Sequence, residues 1–140
     1  MMKYIKRHLW LKVFAAVLFI IPSQGFGQQT ASGPLVDTIL VCLENHDAIT
    51  MVKHMNNPVD IKIDEKKGIY SLSQAKLLMK DFFHNHPFTS VTKNHTSHSG
   101  KNEVSVIGTY QSEGSTFRLY FLLKRKEETF KIYQFYIEKS

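Results

Sequence analysis

The chain has 140 residues, with 18 basic and 12 acidic side chains and a net charge of +6. Four of the basic residues lie within the first 27 and no acidic one does, so the remainder carries 14 against 12, a net +2. That balance gives no evidence for nucleic-acid binding, which would need a clustered basic footprint, and fits one domain around one core. Cys42 is the only cysteine, so there is no internal disulfide.

Lys3, Lys6, Arg7 and Lys12 precede an apolar run from Val13 to Ile21, followed by Pro22 and the small residues Ser23, Gly25 and Gly27. A basic segment, a short apolar core and a small-residue cleavage site predict a secretory signal peptide over residues 1–27, cut after Gly25 or Gly27. Nine apolar residues fall well short of the roughly twenty that span a bilayer. No cysteine directly follows the small residues at the cleavage site, as a lipoprotein signal would require, so the expected product is a soluble protein of the periplasm or medium, without a stable membrane anchor. Residues 28–34 read as a flexible lead-in and 35–140 as a single domain.

Pro34 suits the first turn of a helix, and Leu35, Val36, Ile39, Leu40 and Leu43 recur at helical spacing to about Glu44. Cys42 lies in this pattern as a small buried hydrophobe. Asp47 is a cap for a second short helix, Ala48 to His54, with Ile49, Val52 and Met55 inward. Val59, Ile61 and Ile63 alternate with Asp60, Lys62 and Asp64 as a strand, which turns through Glu65–Gly68 into Ile69-Tyr70. Ser71 and Gln74 have the spacing of a capping box, and Ala75, Leu78, Met79, Phe82 and Phe83 form one face of a helix that Pro87 stops near Asn85. Phe88–Ser97 is a more polar strand. Val104–Gln111, Phe117–Lys124 and Phe130–Ile137, separated by short polar breaks, complete an antiparallel meander.

Several of these stretches carry a family resemblance. Gly68-Ile69-Tyr70-Ser71 with Gln74-Ala75, Lys80-Asp81-Phe82-Phe83, Ile107-Gly108-Thr109-Tyr110, Phe117–Lys124 and Ile137-Glu138-Lys139 resemble domain-of-unknown-function family 4783. This is a family of small exported bacterial proteins in the nuclear-transport-factor-two-like superfamily. The resemblance implies an α+β cone: a strongly bent antiparallel sheet, made of a short hairpin and a four-stranded meander, with three helices packed on it. It implies no activity, because the superfamily holds isomerases, dehydratases, ligand-binding proteins and association domains.

Histidine is the one enriched reactive type. His84, His86, His95 and His98 could approach one another as a metal set if the strand folds back beside the helix end; exposed loop histidines are the simpler reading. An enzyme of the isomerase or hydrolase type would need a carboxylate or histidine in an apolar pocket. Asp60 and Asp64 fall on the outward phase of their strand, Asp81 on the polar side of its helix and Glu103 at a strand start. No cofactor motif occurs.

The meander carries a different signal. In Phe117–Lys124 one phase holds Phe117, Leu119, Phe121 and Leu123, while the other has Tyr120 and Leu122 in its middle. Strict alternation in the last strand puts Phe130, Ile132 and Tyr136 on one side and Tyr133, Phe135 and Ile137 on the other. A sheet apolar on both faces calls for cover on both. The expectation is therefore a non-enzymatic ligand-binding or association domain, a homodimer joined through Tyr120, Leu122, Tyr133 and Phe135. A small apolar ligand would sit in the cone among Leu78, Phe82, Tyr110, Phe121 and Tyr133. A small-molecule enzyme using that pocket is the alternative.

Overall fold

The computed structural model describes residues 32–140; the predicted signal peptide lies outside the described residues. Three helices precede or interrupt six strands: α1 (Gly33–Glu44), α2 (Ala48–Lys53), β1 (Met55–Ile63), β2 (Lys66–Tyr70), α3 (Leu72–Asn85), β3 (Phe88–Ser99), β4 (Glu103–Ser112), β5 (Ser115–Lys126) and β6 (Thr129–Lys139). The strands form one curved, unclosed sheet in the order β2-β1-β6-β5-β4-β3. β3 to β6 are the expected antiparallel meander, and β1–β2 the expected hairpin. The hairpin joins the meander through a parallel pair, β1 beside β6, so the sheet is mixed. Strand pattern alone carries no information about the sense of that pair.

Local chemistry sets the helix starts as the sequence requires. Asp47 Oδ1 accepts the Thr50 N–H at 2.9 Å. Ser71 Oγ accepts the Gln74 N–H at 3.3 Å while Gln74 Oε1 accepts the Ser71 N–H at 3.0 Å, a complete capping box. That box fixes the rotation of α3, turning Ala75, Met79, Phe82 and Phe83 into the core. In α2 the buried stripe is Ala48, Met51 and Val52, and Ile49 is 53% exposed. The expected stripe had used Met55 as a helical position, but Met55 already opens β1.

All three helices cover one face of the sheet, whose side chains Val104, Val106, Tyr110, Phe117, Leu119, Phe121, Leu123, Phe130, Ile132, Phe135 and Ile137 make the core. β6 reaches this arrangement through a bulge. Leu122 faces Gln134 and Leu123 faces Ile132, leaving Tyr133 as an extra residue. One inserted residue reverses the phase of everything beyond it. Phe130 and Ile132 before the bulge and Phe135 and Ile137 after it therefore all turn inward. This corrects the strict alternation: Phe135 is fully buried in the core and forms no part of the outer surface.

Candidate functional site

The inside of the cone is filled. Tyr110, Phe117 and Phe121 are fully buried, and Phe82 nearly so. The Tyr110 ring lies 5.4 Å from Phe82, 5.8 Å from Phe88 and 6.2 Å from Phe117, all tilted or edge-on, the favoured aromatic geometries. Of the five expected pocket residues, Leu78, Phe82, Tyr110 and Phe121 belong to this packed interior or its margin. Tyr133 does not join them. The bulge puts it on the opposite face of the sheet, beside Lys124, whose Nζ lies 5.7 Å from its ring centre.

A part-buried polar knot ties the end of α3 to the turn between α1 and α2. The Tyr110 hydroxyl donates to the His86 carbonyl at 2.7 Å and stands 3.3 Å from His46 Nε2. His46 Nε2 in turn accepts the Phe88 N–H at 3.0 Å, so the neutral ring carries its proton on Nδ1. The imidazole stacks on Phe83 at 4.9 Å and 17°. His46 has φ 54°, and this turn between α1 and α2 aims its ring back at the cone. Burial pushes the Tyr110 hydroxyl up to about 12, which keeps it a proton donor. Among the described residues no carboxylate hydrogen-bonds to a member of the knot.

The four histidines proposed as ligands are dispersed. His84 is exposed on α3, and His86 packs its ring against Phe82 and Phe117 at 4.9 and 4.7 Å. His95 pairs with Ile107 and His98 with Val104, towards the other end of β3, and a three-residue offset turns them to opposite faces. Among the described residues no three His, Cys, Asp or Glu side chains converge on a point that could hold a metal ion.

Two concave surfaces bear on the site. At the mouth of the cone a cleft of about 780 Å³ lies between the end of α3, the β1–β2 turn and the end of β6, bordered by Phe82, His86 and a ring of charges. Those charges are largely engaged: Lys62 Nζ contacts Glu138 at 2.6 Å, Asp64 Oδ1 accepts the Lys139 N–H at 2.9 Å, and Asp81 accepts from Asn85 at 3.3 Å. On the outer face of the sheet a smaller pocket of about 240 Å³ is walled by Pro58, Ile69, Leu122 and Tyr133, with Asp60 in its lining. Asp60 Oδ2 receives the Tyr136 hydroxyl at 2.5 Å and Gln134 Nε2 at 3.2 Å. Its other oxygen, Oδ1, is buried with no hydrogen-bond partner. Burial first, and then the bond to Asp60, raise the Tyr136 hydroxyl to about 12.

Residues 36–138 match the domain of unknown function DUF4783. The chain belongs to the DUF4783 family. Its fold is similar to that of a DUF4783 family protein from Bacteroides uniformis, with a TM-score of 0.69 at 22% identity over 74% of this chain and 95% of that one. A DUF4783 protein from Bacteroides ovatus gives 0.68 at 20% identity, over 73% and 92%. An NTF2-like protein of unknown function from Silicibacter pomeroyi gives 0.60 at 12% identity, over 79% and 93%. No curated protein matches the chain. The cone implied by the sequence is thus the NTF2-like fold, and at these identities the likeness concerns fold alone.

In this DUF4783 chain two groups escaped the sequence reading. His46 lay in Asn45-His46-Asp47, which reads only as a helix break; nothing local says that the turn points its ring inward. Asp60 was correctly placed on the outward phase of β1. Its convergence with Gln134 and Tyr136 depends on the parallel β1–β6 register, which the strand pattern does not encode.

Proposed function

We propose that this protein is an exported, non-enzymatic association domain that forms a homodimer through the outer face of its sheet. The observation that carries this reading is the contrast between the two faces. The inner one is packed solid by Tyr110, Phe117, Phe121 and Phe135. The outer one, opposite all three helices, bears Tyr120, Leu122, Tyr133, Tyr136 and the 66%-exposed Ile69. Six strands about 4.8 Å apart and some ten residues at about 3.4 Å cover roughly 800 Å², about what each partner of a stable complex buries. Export rests on the first 27 residues, and no helix among those described is long and apolar enough to cross a membrane. Light scattering on the processed chain tests the reading: a dimer mass is expected at micromolar concentration, and a monomer overturns it.

A second reading, a small-ligand site, is favoured by the mouth cleft, whose size falls in the range of about 300–1,000 Å³ typical of such sites. Glu138, Asp64 and Asp81 each already hold a partner there, while Glu65 and His86 also line the cleft. Thermal shifts against apolar small molecules, abolished by Asn85→Trp, which fills the cleft from an exposed position, but kept in Tyr133→Glu, would support this reading. No shift with any of them would remove it.

A further inference from the structure

Resting on the small-ligand reading of the mouth cleft, we propose that its ligand is a cation: an amine with an apolar body, held by the carboxylates of Asp64 and Asp81 and by the C-terminal end of α3. The cleft has an apolar wall suited to such a body, made of Ile63, Phe82 and the ring of His86. His86 is fixed there by its neighbours. Its N–H donates to the Phe82 carbonyl at 2.9 Å, its carbonyl accepts from Tyr110 at 2.7 Å, and its ring packs on Phe82 and Phe117. A wall that is already ordered costs an incoming ligand little conformational entropy.

The sign of the ligand's charge follows from what is fixed around that wall. Of the seven charged side chains lining the cleft, four are acidic and three basic. Lys62 and Glu138 pair at 2.6 Å and cancel one another. Asp64 and Asp81 are short side chains held by neutral donors, the Lys139 N–H at 2.9 Å and the Asn85 amide at 3.3 Å. Each is therefore positioned without being neutralised. Glu65 adds an exposed third carboxylate. Lys66 and Lys139 form no ion pair among the described residues and carry their ammonium groups on long stems that can swing into water.

The backbone adds to the same sign. A helix C-terminus carries partial negative charge on carbonyls that lack partners, and α3 ends at the cleft. Here the sequence keeps two of those carbonyls open. Pro87 has no N–H to give the Phe83 carbonyl, and the Phe88 N–H that would serve His84 donates to His46 Nε2 at 3.0 Å instead. An ammonium in the cleft meets fixed negative charge from the β1–β2 turn and from α3. A carboxylate meets the same groups as repulsion.

Titration calorimetry at pH 8 and low salt tests this with three probes that share one aromatic body: 2-phenylethylamine, 2-phenylethanol and 3-phenylpropanoate. The amine should bind about tenfold more tightly than the alcohol, and the carboxylate more weakly than either. Added salt should narrow the gap, because the charges involved are partly exposed. Asp64→Asn/Asp81→Asn keeps the side-chain shapes and should remove most of the amine's advantage while leaving the alcohol unchanged. Equal binding of amine and alcohol, or tightest binding of the carboxylate, overturns the charge assignment and leaves the cleft as a ligand site. An amine preference that survives in the double variant overturns it as well. Binding of none of the three removes this inference together with the cleft reading.

Discussion

The Tyr110 hydroxyl and the His86 carbonyl oxygen are 2.7 Å apart, a hydrogen bond that ties the inner face of β4 to the residue ending α3. Helix C-termini leave carbonyls without partners inside the helix, and here a buried phenol comes close to one. Tyr110→Phe keeps the ring among Phe82, Phe88 and Phe117 but strands that carbonyl. The expected loss is about 1–3 kcal/mol. Urea unfolding should show a lower midpoint with an unchanged slope, since the surface exposed on unfolding stays the same.

Alkaline pH should weaken the fold through the same group. The folded Tyr110 hydroxyl titrates near 12, against 10.0 for an ordinary tyrosine, so the folded state holds its proton longer than the unfolded chain. This contribution is whole below pH 10 and is lost as pH rises through about 12. Tyr136, facing Asp60, Tyr120 and Glu138 with Lys67 over its ring, adds a loss of the same sign. Unfolding midpoints measured from pH 8 to 11.5 should fall in the wild type, more gently in Tyr110→Phe, and most gently in Tyr110→Phe/Tyr136→Phe.

The bulge in β6 makes neighbouring aromatics behave differently. Phe135 is fully buried opposite Phe121, their rings 6.5 Å apart, so Phe135→Ala should cost about 3–5 kcal/mol. Tyr133, two residues earlier, stands on the outer face. Tyr133→Ala should change the stability of the isolated chain by less than about 1 kcal/mol and act instead on dimerisation. Chemical denaturation paired with light scattering separates the two effects.

How far these features were legible in the sequence depended on whether they were local. The capping box at Ser71 and Gln74, the Asp47 cap, the α3 stripe and the meander are set by residues a few positions apart, and each formed as read. The Tyr133 bulge, the parallel sense of β1 beside β6 and the inward aim of His46 are settled by packing between distant segments. Those three decide the site. The bulge removed Tyr133 from the cone and Phe135 from the outer face, and the parallel register assembled Asp60, Gln134 and Tyr136. The four histidines failed as a set for the same reason: His84 and His86 lie at the end of α3 and His95 and His98 along β3, so nearness in sequence did not gather them around a point.

Gly108 gives the resemblance in Ile107-Gly108-Thr109-Tyr110 a physical cause. It lies on the buried face of β4 and pairs with Lys93, immediately before the β3 irregularity that ends at His95. A Cβ at this position would stand 2.6 Å from the Thr92 carbonyl oxygen and 3.4 Å from Leu119 Cδ2. Leu119 could yield by rotating, but Thr92 is backbone held in the sheet and can move only with β3. Gly108→Ala should therefore destabilise by about 1–3 kcal/mol despite adding one methyl group. Gly33→Ala, where nothing lies within 4 Å of the added carbon, should show no such loss. Amide hydrogen exchange would locate the damage: beyond the general acceleration of a less stable fold, amides of the β3–β4 pair should speed up most in Gly108→Ala. Uniform acceleration across the sheet would show that the close approach to Thr92 is not its cause.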